Sequence, residues 1–133
     1  DRVIVPALGR GAVVLCDRFA DSTIAYQGFG KELGADYVEK CCRQVSGGVE
    51  PDLTFFVDLD PEIGLERVDK RAAGVGPDRM EQEALAFHKR VHQGFIELAK
   101  KFPERIVRLD GTLSKDALYE AAFDKVERLM GQQ

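Results

Sequence analysis

Asp17 and Arg18 follow an apolar run, Ala12–Cys16, and precede Thr23, Tyr26 and Gln27, which place a hydroxyl, a ring and an amide near one face of a short helix. In an open α/β sheet, ligands collect past the carboxyl ends of parallel strands, where an acid and a base can hold a metal ion and an anion. The same dipeptide also suits a purely structural ion pair. Gln27 has the amide to hydrogen-bond a base edge, and the Tyr26 ring can stack or limit space beside a sugar. A second basic cluster, Arg67, Lys70, Arg71 and Arg79, flanks Gly74 and Gly76. It reads either as a solvated helix face with pairs such as Glu66 with Lys70, or as a lid whose arginines close over a polyphosphate. His88 and His92 stand at i, i+4, the spacing of a two-histidine metal face, but no further ligand is well placed and a solvated stripe is expected. A Gly-x-x-x-x-Gly-Lys-Ser/Thr loop, the other half of a phosphoryl-transfer site, does not occur in these residues.

The elements that must position these side chains follow from periodicity. Ala12–Cys16, Leu53–Asp58 and Arg105–Leu109 are predicted strands, and the first two are almost wholly apolar, as suits strands buried on both faces of a parallel sheet. Ala35–Val45 is a predicted helix that stops at Gly47 and Gly48. Asp60 and Pro61 start another that runs to about Ala72. Residues 72–77 interrupt it, and Asp78 with Glu81 reads as a capping box for the longest helix. Along that helix Met80, Ala84, Phe87, Val91, Phe95, Leu98 and Phe102 recur at spacings of three and four, the stripe of a core-facing surface. Pro103 closes it, and Ser114 caps a terminal helix whose core face carries Leu118, Ala122, Val126 and Leu129. Strands alternating with long crossovers imply right-handed βαβ units. Residues 1–11 read as the end of a helix stopped at Gly9 or Gly11, without signal-peptide regions, so that Asp1 falls inside an element.

The 133 residues suit one domain with a single core. With 19 basic and 23 acidic residues the formal net charge is −4, which gives non-specific attraction to nucleic acid no support. No apolar run is long enough to cross a bilayer, so no membrane partner is expected. Of the three cysteines, Cys41 and Cys42 are neighbours in a predicted helix and Cys16 ends a predicted strand, which fits free thiols in a reducing cytoplasm.

Taken jointly, Asp17-Arg18-Phe19-x-x-Ser22-Thr23-x-Ala25-Tyr26-Gln27-Gly28, Pro51-Asp52-Leu53-Thr54, Asp58-x-Asp60-Pro61-Glu62-x-Gly64-Leu65-x-Arg67 and Asp78-Arg79-x-Glu81-Gln82-Glu83 resemble the bacterial thymidylate kinase family. The similarity spans essentially the whole sequence in the family's order and spacing. It implies an α/β, P-loop NTPase-like parallel sheet with flanking helices, here incomplete: three strands retained and the central P-loop strand absent. Residues 1–133 would then be a single partial nucleoside-monophosphate-kinase domain, truncated at its N-terminus, with a lid at about 71–79. The activity implied is transfer of the ATP γ-phosphoryl group to dTMP, giving dTDP, with Mg2+, in a cytoplasmic homodimer. By the family pattern Arg18 binds the acceptor phosphate, and Asp17 helps hold magnesium through water. Thr23 and Gln27 face thymine, and Tyr26 lies by the deoxyribose and disfavours a 2′-hydroxyl. Arg71 and Arg79 match lid arginines that supply a transition-state cation, a longer lid leaving the choice between them open. Arg67 would contact adenine or phosphates, and the backbone of Asp110, Gly111 and Thr112 would border adenine.

The family's N-terminal third, with the phosphate-cradling loop and its lysine, has no counterpart among these residues. The missing strand would lie between Ala12–Cys16 and Leu53–Asp58, so those strands either pair directly, accept a strand from another copy, or belong to a longer folded protein. These 133 residues alone are expected to lack dTMP kinase activity. Two other readings remain: a P-loop nucleoside or nucleotide kinase with a different acceptor, and a non-catalytic nucleotide-binding or assembly module.

Overall fold

Phe56 and Ile106, buried near the middle and start of two short strands, mark where the core begins. A computed structural model describes residues 3–69 and 79–131, with side chains for 3–66 and 84–131. In chain order the elements are α1 (Ile4–Leu8), α2 (Ala20–Thr23), a π-helix (Ile24–Gly30), α3 (Ala35–Val45), β1 (Thr54–Asp58), α4 (Pro61–Asp69), α5 (Arg79–Lys101), β2 (Ile106–Asp110) and α6 (Lys115–Met130). Strands β1 and β2 pair in parallel, with Thr54 opposite Ile106 and Asp58 opposite Asp110. Parallel pairing needs a long crossover, which α4 and α5 supply.

Local chemistry sets the boundaries. Asp60 Oδ1 accepts the Glu62 N–H at 2.8 Å at the start of α4, and Ser114 Oγ accepts the Ala117 N–H at 3.2 Å at the start of α6. Both expected caps are therefore in place. The expected α5 stripe also packs as a core face. Val91 and Leu98 are buried, and Phe87, Phe95 and Phe102 lie against the same cluster as Ile24, Ala25, Val38 and Phe56. Phe95 stacks on Phe56 with ring centroids 5.1 Å apart. Burying a phenylalanine of this kind contributes about 1.5–3 kcal/mol.

Three expectations are corrected. The described sheet has two strands rather than three. Ala12–Cys16 has no regular secondary structure and no strand partner among the described residues, with Val13 65% and Leu15 92% exposed. An apolar pattern makes a strand only when its N–H and C=O groups find a neighbour, and no described strand lies beside this run. It does not pair directly with β1. Second, β1 is buried on one face only: Phe56 is buried while Val57 is 52% exposed. The π-helix, α3 and α5 gather on the Phe56 side, and no described element covers Val57 to the same degree. Third, α6 has no buried residue, its expected core face being only half-buried where it meets β2.

A buried ion pair ties the layers together. Arg105, at the entrance to β2, donates from Nη1 and Nη2 to the two Asp21 carboxylate oxygens at 2.7 and 2.8 Å. Thr54, the first residue of β1, donates its hydroxyl to Asp21 Oδ2 at 3.1 Å. Helix α2 is thus fixed to the beginnings of both strands. The Asp21 hydrogen bonds hold the Arg105 guanidinium above even its ordinary high pKa, against the opposing effect of burial.

Candidate active site

Four of the side chains singled out from the sequence line one groove. Arg18, Thr23, Tyr26 and Gln27 face an open cavity of about 790 Å3 whose other walls come from α1 and α3, including Val5, Tyr37 and Cys41. The size is that of a small-molecule site. Arg18 occupies the left-handed region, with φ +69°. For a non-glycine residue that conformation costs about 1–3 kcal/mol and concentrates at functional sites. It turns the side chain back over the groove, where Nη2 donates to the Tyr26 hydroxyl at 2.8 Å and the guanidinium carbon lies 4.8 Å from the Tyr26 ring centroid. On its other side the Tyr26 ring meets Phe87 edge-on at 6.0 Å.

Gln27 Oε1 is the one buried side-chain polar atom among the described residues with no hydrogen-bond partner. Leaving an acceptor in that state costs about 1–3 kcal/mol, which a ligand N–H directed at it would offset. Thr23 is exposed at the groove wall beside Cys42, whose thiol is pushed up by burial first and by Cys41 second, with a Thr23 hydrogen bond opposing. All three cysteines are free, as expected.

Asp17 is exposed and, among the described residues, forms no ion pair, with Arg18 or otherwise. The structural ion pair that the dipeptide allowed is therefore not formed. No group of three metal-ligating side chains occurs among the described residues. One exposed, uncommitted carboxylate still fits Mg2+, which takes one or two protein carboxylates and draws its remaining ligands from substrate phosphates and water.

The thymidylate kinase family model matches residues 1–122. The chain belongs to the thymidylate kinase family. It is 48% identical to the thymidylate kinase of Nostoc punctiforme over 90% of this chain and 56% of that protein. It is 48% identical to that of Gloeobacter violaceus over 98% of this chain and 61% of the relative, and 48% identical to that of Deinococcus radiodurans over 87% and 55%. The chain thus spans roughly half to three-fifths of the length of the thymidylate kinases it matches.

Other residues that the thymidylate kinase resemblance selected lie elsewhere. Asp110, the last residue of β2, and Gly111 and Thr112 in the turn that follows lie away from the walls of the groove. Asp110 Oδ1 accepts the Thr112 N–H at 2.8 Å and its hydroxyl at 2.7 Å, and these two bonds hold the Asp110 carboxyl below its ordinary value. The Gly111 N–H donates to Asp58 O at 2.7 Å, and a methyl group at Gly111 would come within 2.8 Å of that oxygen. Glycine is required there by close approach. The side chains of Arg67 and Arg79, and all of Arg71 with the rest of the lid about 71–79 except the α5 start at Arg79, lie outside the described residues. The capping box of Asp78 and Glu81 lies outside them too, as do Lys70 and the Met80 side chain.

His92 corrects the expectation of a solvated histidine stripe. Its Nε2 lies 2.5 Å from Asp58 Oδ1, and its ring is 6.0 Å from Phe56. Asp58 also accepts from Arg108 Nε at 3.1 Å and from Arg108 Nη2. Burial pushes the Asp58 carboxyl up, hydrogen bonds from Arg108 and His92 pull it down, and the balance lies below the ordinary carboxylate value. The sequence signal was the position of His92 next to Val91 and one turn before Phe95, on the flank of the core stripe. A folded pKa below the unfolded one gives stability that is present above about pH 4 and lost as pH falls through the folded value. Thermal midpoints measured from pH 6 down to pH 2 are therefore expected to fall less steeply in Asp58→Asn than in the parent. Superimposable profiles would assign that acid sensitivity to other carboxylates.

Proposed function

We propose that this chain supplies the acceptor-nucleotide part of a thymidylate kinase, which transfers the γ-phosphoryl group of ATP to dTMP and releases dTDP and ADP. The observation that carries this reading is the convergence of Arg18, Thr23, Tyr26 and Gln27 on one groove, with the buried Gln27 Oε1 left without a partner. A pyrimidine has a ring N–H to satisfy Gln27 Oε1, and the Thr23 hydroxyl can complement a ring carbonyl. Tyr26 then borders the sugar, where its bulk disfavours a 2′-hydroxyl. Arg18 exchanges its hydrogen bond to the Tyr26 hydroxyl for the acceptor phosphate, whose two charges match a planar guanidinium better than a neutral phenol does.

In the transfer step an oxygen of that phosphate attacks the γ-phosphorus, the bond to the β-phosphate oxygen breaks, and ADP carries the electron pair away. Both reactants are anionic, so the cleft must be lined with cations. Arg18 serves the acceptor. Arg71 or Arg79 serves the transferring group, and Arg67 the donor nucleotide, with the turn Asp110–Thr112 beside adenine. Asp17 would hold Mg2+ through water, the ion screening the donor phosphates when bound. Free thiols at Cys16, Cys41 and Cys42 suit a reducing cytoplasm. The assembly is a homodimer by the family pattern, without nucleic acid or membrane.

Calorimetric titration of the chain is expected to give saturable binding of dTMP at least about tenfold tighter than AMP, since adenine is the larger ring system and its N1 is an acceptor where thymine N3 carries the hydrogen offered to Gln27 Oε1. Equal affinities would point to a different acceptor. In a coupled ADP-release assay the same 133-residue polypeptide is expected to show no dTMP-dependent turnover, because it contains no phosphate-cradling loop and lysine. Robust turnover would overturn that part.

A further inference from the structure

Tyr26 and Gln27 reach the groove from a seven-residue π-helix, a conformation that is rare and frequent at functional sites. Its wide register continues past its end, the Lys31 N–H bonding Tyr26 O at 2.9 Å. A π turn holds an extra residue, so a return to α geometry would rotate the following side chains by about 100° per residue shifted. Ile24 and Ala25 are buried in the core, so that rotation would fall on Tyr26 and Gln27.

Helix α5 holds this register. Arg90 Nε donates to the carbonyl of Gly30, the last residue of the π-helix, at 3.0 Å. A methyl group at Gly30 would come within 2.7 Å of both Phe87 and Val91, and one at Gly94 within 2.8 Å of the Phe29 ring. Backbone and helix therefore meet at distances only glycine permits. Phe87 also supports the Tyr26 ring, so one stretch of α5 touches both the end of the π-helix and a groove side chain. Glu32 Oε2 stands 3.8 Å from Arg90 Nε, a longer and more exposed contact than the bond to Gly30.

We propose that Arg90 is a positioning residue for nucleoside selectivity: through the Gly30 carbonyl it fixes the π register that presents Tyr26 and Gln27 to the bound nucleotide. The inference rests on the acceptor reading above. It adds that discrimination between deoxyribose and ribose is set from α5, outside the groove.

The test is equilibrium titration of the chain and its variants with dTMP and with ribothymidine 5′-monophosphate, each protein first checked for a cooperative thermal melt. Arg90→Gln is expected to weaken dTMP about tenfold, the scale of one charge-assisted hydrogen bond, and the ribonucleotide less, so that the preference narrows. Arg90→Lys, which keeps a cationic donor, is expected to recover part of the preference. Glu32→Gln, which removes only the exposed ion pair, is expected to leave it unchanged. Gly94→Ala is expected to narrow it like Arg90→Gln; should that variant not fold, the Arg90 pair decides. A preference unchanged in Arg90→Gln while the parent binds dTMP would overturn this inference and leave the acceptor reading standing. A parent that does not bind dTMP would remove both.

Discussion

Arg18→Ala is expected to weaken dTMP binding by about 100-fold while changing thymidine binding much less, because the loss is that of a doubly hydrogen-bonded guanidinium–phosphate contact. Comparing the nucleotide with the nucleoside separates the proposed phosphate contact of Arg18 from its observed bond to Tyr26. Arg18 both lines the groove and hydrogen-bonds the Tyr26 hydroxyl. If it acted chiefly by holding Tyr26, thymidine would suffer as much as dTMP. Arg18→Lys is expected to fall between, since a point charge keeps the attraction without the planar fork. Parallel loss for the two ligands would reassign Arg18 to support of the ring.

The largest expected effect on stability is at the buried pair. Arg105→Met removes the bidentate partner of Asp21, whose side chain is only 7% exposed, and is expected to cost about 3–5 kcal/mol by leaving a buried carboxylate without a counter-ion. The double variant Asp21→Leu with Arg105→Met is expected to regain most of that loss, because apolar side chains of similar size can replace a buried ion pair at little cost. Urea denaturation of the two single variants and the double variant gives the coupling directly. Equal midpoints for Arg105→Met and the double variant would show that the loss comes from packing of the arginine stem. Asp21 stands two residues before Thr23, so the ion pair also bears on the site: it fixes the helix that leads into the groove wall.

The parts of this fold legible in the sequence are those written in local chemistry. Ala35–Val45, the Asp60 and Ser114 caps and the apolar stripe of α5 each depend on residues within about one turn of one another. Arg18, Thr23, Tyr26 and Gln27 were legible as a group because they lie within ten positions on one stretch of chain. What the sequence hid depends on distant partners. Asp21 and Arg105 are 84 positions apart, and Asp58 and His92 are 34 apart, so no spacing rule joins them. The π-helix was hidden for a related reason. Its register goes with the close approach of Gly30 to Phe87 and Val91 of α5, and of Phe29 to Gly94 of α5, while its own residues carry no separate period. Ala12–Cys16 failed as a strand in the opposite sense: its composition was right, but pairing is a property of two segments and only one is described.

The groove also determines what the protein emits under ultraviolet light. The chain has no tryptophan, and of its three tyrosines Tyr26 and Tyr37 both border the groove, while Tyr119 lies on α6. Intrinsic fluorescence therefore originates mostly at the site, with no indole to drain it by energy transfer. A ligand that displaces Arg18 from the Tyr26 hydroxyl would change that emission, so occupancy of the groove can be followed on the unlabelled protein.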